Sequence, residues 1–319
     1  MSETGSRTDV VCIGETMALF NAQHAGPLPH SRSFNLGIGG AESNVAIALT
    51  RLGARAAWVG RLGADSLGDV ILHELRGEGV LVHASRDSEA PTGLMIKERR
   101  TAATQRVWYH RRDSAGSRLT VQDLPTDLIA DTRILHVTGI TPALSSTAHD
   151  TIRRAVALVR DSGGSVSLDV NYRAGLWGPE DAAVTLLPIV ADCDIIFAGS
   201  DEAEMLTGEV DAYAQAHSLA ALGPSQVLIK LGAAGCAGLI DGKWFTQDAI
   251  PVTPVDTVGA GDAFVAGYLA ELLAGLQVEQ RLETAVRCGA YACLAAGDWE
   301  GLPRRSELAM IGSSEAVTR

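Results

Sequence analysis

The chain predicts an α/β fold in which a mostly parallel sheet is covered by helices on both faces, with a few strands standing outside it. Three observations lead there: short β-branched runs alternate with longer amphipathic stretches, two glycine turns run directly into apolar-periodic segments, and two further segments break the alternation. Strands buried on both faces are apolar throughout, and the crossover joining two parallel strands is usually a helix.

The elements follow in order. Val10 to Gly14, Ala57 to Gly60, Ile134 to Thr138, Val166 to Val170, Ile195 to Ala198 and Val227 to Leu231 read as buried strands, being short, apolar and rich in β-branched residues. Ala41 to Leu52, Leu67 to Gly77, Ser146 to Arg160, Ala212 to Leu222, Ala263 to Leu273 and Arg281 to Ala295 carry apolar residues at three-to-four spacing and often stop at glycine, as helices do. Asp241-Gly242, between Ala237-Gly238-Leu239-Ile240 and Lys243-Trp244-Phe245, is a hairpin signal. The segments that break the pattern are Thr16 to Leu36 and Thr92 to Arg112, the second containing Val107-Trp108-Tyr109-His110-Arg111; both read as extra antiparallel strands. With no internal repeat, low-complexity tract or linker, residues 1–319 are expected to form a single unit.

Composition narrows the function. With 46% hydrophobic residues among 319, the chain can bury a large core. Lys and Arg number 26 against 38 Asp and Glu, a net charge of −12, which argues against nucleic acid or an anionic membrane as partner. Cys12, Cys193, Cys236, Cys288 and Cys293 are scattered without a CxxC pair, so they read as core residues of a reducing compartment. No apolar run approaches the roughly 20 residues that span a bilayer, and Met1 to Asp9 is polar, so a cytoplasmic metabolic protein is expected. No His, Cys and carboxylate cluster has zinc spacing.

Chemistry enters with Asp256-Thr257-Val258-Gly259-Ala260-Gly261-Asp262-Ala263-Phe264, which opens the helical run Ala263 to Leu273. Gly259, Ala260 and Gly261 present almost no side chain, so their N–H groups can meet a phosphate at the positive end of the helix dipole. Asp262 stands where the phosphate's acceptor would arrive; with an ordinary carboxylate pKa of about 4 it would be ionised at neutral pH and able to take a hydroxyl proton. A capped tight turn is the plainer reading of such a segment taken alone. Far upstream, Gly37-Ile38-Gly39-Gly40-Ala41-Glu42-Ser43-Asn44-Val45-Ala46 is a second glycine turn running into a helix. The two motifs together resemble the signatures of ribokinase-like (PfkB) sugar kinases, and the resemblance covers nearly the whole chain, including Ile229-Lys230-Leu231-Gly232 before Gly235.

The resemblance implies a three-layer fold with a small β-sheet lid contributed by about residues 16–36 and 92–112, which closes over the sugar and often pairs with a second subunit, hence a homodimer. It implies ATP and Mg²⁺, Asp262 as the base, and Gly259, Ala260 and Gly261 as the anion hole. Lys230, Gly232 and Gly235, with Gly259 and Gly261, would border the nucleotide. Glu202 would order the metal's water shell, although Gly199 stands where the family commonly has Asn; Asp201 and Glu202 are otherwise ordinary first-turn helix acids. Asp256, within Thr253 to Asp256, would offer oxygens to a monovalent cation such as K⁺.

The acceptor is read from charge. Lys97, Arg99, Arg100, Arg106, Arg111, Arg112 and Arg118 face only Glu98 and Asp113 in that stretch, a basic island that could equally protect exposed strand edges. Strand alternation puts Tyr109 and Arg111 on one face, and a guanidinium fork suits a carboxylate. Arg173 lies in Asp169-Val170-Asn171-Tyr172-Arg173-Ala174-Gly175-Leu176-Trp177, just after a buried strand, where it could also pair with Asp169 or Glu180. This segment, with Tyr109-His110-Arg111-Arg112, Ser114-Ala115-Gly116-Ser117 and Gly297-Asp298-Trp299-Glu300-Gly301-Leu302-Pro303, is similar to the 2-keto-3-deoxygluconate kinase branch. By that resemblance Tyr109, Arg111 and Arg173 hold a sugar acid's carboxylate end, while Gly39, Gly40, Asn44 and Asp262 approach its hydroxyls. Met95 stands where some members offer a tyrosine, and Leu19 where neutral-sugar members often carry an acid. A neutral sugar such as fructose is the alternative substrate, and a non-catalytic nucleotide- or sugar-binding regulator the alternative class. His110, Trp108 and His136 read as structural.

Overall fold

The chain enters through β1 (Val10–Ile13), four residues all buried, and at once leaves the main sheet as β2 (Met17–Ala22) and β3 (Phe34–Gly39). It returns by α1 (Ala41–Arg51), β4 (Ala56–Gly63), α2 (Ser66–Gly77) and β5 (Leu81–Asp87), and leaves again as β6 (Leu94–Arg99) and β7 (Gln105–His110). Then come α3 (Thr126–Ala130), β8 (Ile134–Thr138), α4 (Ser146–Asp161), β9 (Ser165–Asp169), α5 (Pro179–Ala191) and β10 (Ile195–Gly199). The chain finishes with α6 (Ser200–Thr207), α7 (Ala212–Ala220), β11 (Gln226–Lys230), β12 (Cys236–Ile240), β13 (Lys243–Gln247), α8 (Ala260–Leu273) and α9 (Val278–Ala292). This computed structural model describes residues 7–101 and 104–311; the first six residues of the polar start and residues 102–103 of the second lid segment lie outside the described residues.

Among the described residues nine strands form the main sheet, in the order β13-β12-β11-β10-β9-β8-β1-β4-β5. All pairs from β11 to β5 are parallel, and β12 and β13 add an antiparallel edge. Its turn puts Asp241 at φ 49° and Gly242 at φ 77°, the left-handed pair that a two-residue hairpin of type I′ requires. Alternation in β1 sends Val10 and Cys12 into the core under α1, α2, α8 and α9, and Val11 and Ile13 into the core on the opposite face. Each fully buried aliphatic side chain contributes roughly 1.5–3 kcal/mol of transfer free energy, which is why these strands are apolar on both sides. From β1 the chain steps one way to β4 and β5 and later the other way to β8, so β1 and β8 flank a switch point, where ligands bind beyond the strands' carboxyl ends.

The lid is a separate four-stranded sheet in the order β3-β2-β6-β7. Its outer pairs are antiparallel as expected, but β2 and β6 run parallel. The reason is the crossover: β2 follows β1 and β6 follows β5, both leaving the carboxyl edge of the main sheet in the same direction. Several elements, β5 and α5 among them, had no clear signal in the sequence. β5 alternates exposed and half-buried residues at the sheet edge, so it lacks an apolar run; α5 begins at Pro179 and contains Pro188, which obscures its period.

Candidate active site

Three chain segments meet above the switch point and enclose a cavity of about 490 Å³. The first is the start of α8. Gly259 is its N-cap at φ 79°, and any Cβ there would collide with the carbonyl oxygen of Asp298. No side chain caps the helix, and Ala260 N–H turns back to Thr257 O at 3.3 Å. The N–H groups of Gly259, Gly261 and Asp262 therefore donate to no protein acceptor among the described residues, and sit where an anion gains most from the helix terminus.

Asp262, in that first turn, is 8% exposed. Asn44 Nδ2, from α1, donates to its Oδ2 at 2.8 Å, leaving Oδ1 without a partner among the described residues. Burial pushes this carboxyl up to about 7, helped by the nearby Asp169 charge and opposed by the Asn44 bond, Arg173 and Lys230. The ordinary value expected from sequence is thus corrected by desolvation, and a base with this affinity is matched to neutral pH. Gly39 and Gly40 lead into α1 beside it: a Cβ on Gly39 would run into the Asp298 carboxylate and Met95, and one on Gly40 would lie 2.5 Å from Glu15 O.

The second segment is the lid. Leu19, Met95 and Tyr109 are register partners across β2, β6 and β7, and Met17, Leu19, Met95 and Val107 form its apolar inner face. The expected basic island is split by this pleat. Arg106 stacks outward on Trp108 at 3.9 Å, whereas Lys97 and Arg111 turn inward. Arg111 and Tyr109 do meet, the guanidinium 5.9 Å from the ring centroid, and both line the cavity. Yet Arg111 is buried against Glu15, its Nε donating to Oε2 at 2.7 Å. Ser114 also donates to Glu15, a residue outside every motif of the sequence.

The third segment follows β9. Arg173 is exposed at the cavity, donates to Tyr172 O at 3.3 Å and forms no ion pair among the described residues, so neither Asp169 nor Glu180 holds it. Asp169 belongs to Lys230, which donates to both of its oxygens at 2.7 and 2.8 Å. Burial opposes the Lys230 charge, but Asp169, Glu202 and Asp262 outweigh it and hold the ammonium above its usual value. Lys230 thus lies under the anion hole, its Nζ 3.5 Å from where a Cβ on Gly261 would stand. Gly232 and Gly235, expected beside it at the nucleotide, are not on the cavity wall; Gly235 closes the β11–β12 turn, with Leu231 N–H donating to its carbonyl at 2.8 Å. Glu202 lines the cavity while its Oε1 accepts from Tyr172 N and its Oε2 from Gly199 N, at 2.8 and 2.7 Å. That fixes the Arg173 loop and caps α6 at once. Among the described residues no three His, Cys, Asp or Glu side chains converge on a metal position.

Asp256, expected to offer oxygens to a monovalent cation, is instead held by a lysine. Lys97 Nζ lies 2.7 Å from its Oδ2 and 2.9 Å from Asp298 Oδ1. His136, read as structural, is fully buried with Nδ1 3.1 Å from Ser167 Oγ, and burial drives its pKa down to about 3.

Residues 7–305 match the family model of the pfkB carbohydrate kinases. The chain belongs to that family. It is 39% identical over 317 residues to the 2-dehydro-3-deoxygluconokinase of Bacillus subtilis (strain 168), covering 97% of each chain. Fructokinase-1 of Zea mays is 33% identical over 325 residues, covering 95% of this chain and 97% of that one. Among solved structures, a putative ribokinase II of E. coli in complex with ATP and Mg²⁺ superposes with a TM-score of 0.89 at 25% identity, covering 95% of this chain and 98% of the other. Four carboxylates of this kinase's cavity had no assigned part in the sequence reading: Glu15, Glu42, Asp169 and Asp298. Glu42 is buried, accepts from Thr138 and Thr141 at 2.7 and 2.9 Å, and burial raises its pKa. Glu42, Asp169 and Asp298 lie inside the sequence motifs and were open to notice; Glu15 lies outside them all.

Proposed function

We propose that this kinase transfers the γ-phosphoryl group of ATP to the terminal hydroxyl of 2-keto-3-deoxygluconate. The observation that carries the sugar-acid reading is Arg173, a guanidinium at the cavity that no carboxylate among the described residues pairs with. It offers the substrate carboxylate a paired, two-pronged contact, with Tyr109 on the same cavity wall and Arg111 contributing the edge that Glu15 leaves. Gly39 and Gly40 give the sugar chain room, and Asn44 fixes Asp262 so that Oδ1 accepts the proton of the attacking hydroxyl. The free N–H groups of Gly259, Gly261 and Asp262 receive the negative charge that shifts onto the phosphoryl oxygens. Mg²⁺ arriving with ATP would neutralise phosphate charge, and Glu202, on the cavity wall, would order water around it. Lys230 and Gly232 border the nucleotide in this reading. The enzyme works in the cytoplasm as a homodimer joined through the lids.

A second reading, a neutral-sugar kinase, draws on Arg111: already neutralised by Glu15, it is a weaker carboxylate partner than the sequence suggests. Coupled ADP release at saturating ATP and Mg²⁺ separates the two. The panel is 2-keto-3-deoxygluconate, its galactonate epimer, gluconate, fructose and ribose. The keto-deoxy acids should lead in kcat/KM by orders of magnitude; a lead for fructose or ribose would replace the first reading with the second.

A further inference from the structure

We propose that the Lys97 ammonium is a resident cation that sets the anion-hole turn, so that this kinase needs no monovalent metal ion. The proposal rests on membership of the kinase family and departs from the K⁺ site the family resemblance suggests. Lys97 is 1% exposed, on the inner face of β6, and its long side chain ends between two carboxylates. One of them, Asp256, begins the turn: its Oδ1 accepts from Val258 N at 3.1 Å, immediately before Gly259. Its Oδ2 takes Lys97 and, at 3.4 Å, Gly297 N. The other, Asp298, places its carbonyl against Gly259, which is what denies that position a Cβ. The two segments that shape the hole are therefore fastened to one positive charge delivered from the lid.

A K⁺ ion does not fit the carboxylate oxygens of Asp256. Each oxygen of Asp256 already faces an N–H or ammonium donor, and a cation there would sit beside a charge of its own sign. Burial opposes the Lys97 charge, but Asp298 and Asp256 overcome it and keep the ammonium protonated beyond its usual range. An ammonium is a compact charge with three donors, well suited to bridging two carboxylates. With its ammonium bonded to Asp256 and Asp298, Lys97 acts as a positioning residue through those two carboxylates.

The test measures turnover of whichever acceptor the enzyme phosphorylates best, with tetramethylammonium as the only monovalent cation and then with K⁺ or ammonium at equal ionic strength. Thermal midpoints are recorded in the same buffers, which gives a readout independent of the substrate assignment. The parent enzyme should change by less than about twofold in turnover and show no K⁺-specific shift in midpoint. Lys97→Ala in tetramethylammonium should lose roughly tenfold or more in kcat with KM little altered, because the hole acts in the transition state. K⁺ or ammonium should restore part of that loss and raise its midpoint. Strong K⁺ activation of the parent enzyme overturns the proposal, and this arm stands even where the variant fails to fold. A folded Lys97→Ala with undiminished kcat overturns it too.

Discussion

Asp262 has to be buried to face the acceptor away from water and ionised to take its proton, and these demands conflict. The compromise is a carboxyl raised to about 7, with Asn44 holding one oxygen. Two outcomes follow at this residue. The kcat/KM should fall about tenfold per unit as pH drops below about 7, because the base is lost on protonation. Asp262→Asn should lower kcat by roughly 10²–10⁴ while ATP still binds. It should also be the more stable protein in alkali. A group that ionises near 4 in the unfolded chain and near 7 in the fold loses stability as pH rises between those values, at most about 4 kcal/mol. The gap in thermal midpoint between variant and parent should therefore widen from about pH 5 to about pH 8. The two arginines also part here. Arg173→Ala should raise KM for the sugar acid roughly 10–100-fold with little change in midpoint, since it is exposed and forms no ion pair among the described residues. Arg111→Ala should in addition cost about 3 kcal/mol or more of stability in chemical denaturation, because Glu15 is left buried and unpaired.

The lid is the element whose two faces do different things. Register places Leu36, Phe20, Ile96 and Trp108 in one row across β3, β2, β6 and β7, opposite the row that meets the cavity. That outer row is apolar and half open, with Leu36 47% and Trp108 39% exposed. A face of this kind is costly to leave in water, and a second lid would cover it. Trp108→Glu together with Leu36→Asp should convert a dimeric mass to a monomeric one in sedimentation, with the fold intact by circular dichroism. A parent protein that sediments as a monomer would remove the lid dimer. Much of the lid was legible, since Val107 to Arg111 already showed which residues share a face. The parallel join of β2 and β6 was not, because strand direction depends on where the crossovers return, and that lies outside any local pattern.

Across the molecule, the acidic balance stops at the cavity, where Lys97, Lys230 and Arg111 answer carboxylates drawn from distant parts of the chain, and Arg173 adds a further positive charge. The cysteines, read as core residues, are buried apart from half-buried Cys293, and burial raises the thiol pKa of all five, Cys236 and Cys288 up to about 12. Native enzyme should resist an alkylating reagent, with Cys293 modified first, and react fully in denaturant, as mass spectrometry would show.

The sequence alone determined the strand and helix alternation, the two glycine turns and the family, because periodicity and short motifs are local properties of a chain. It also pointed to Asp262, Asn44, Tyr109 and Arg173, which the fold brings to one cavity. What it could not contain is who pairs with whom. Glu15 with Arg111, Asp169 with Lys230, and Lys97 with Asp256 and Asp298 join residues from 61 to 201 positions apart. Only tertiary structure decided those partners, and with them the raised carboxyl of Asp262 and the lysine in the expected cation's place. Burial and Coulomb interaction act through space, at distances the linear chain does not specify.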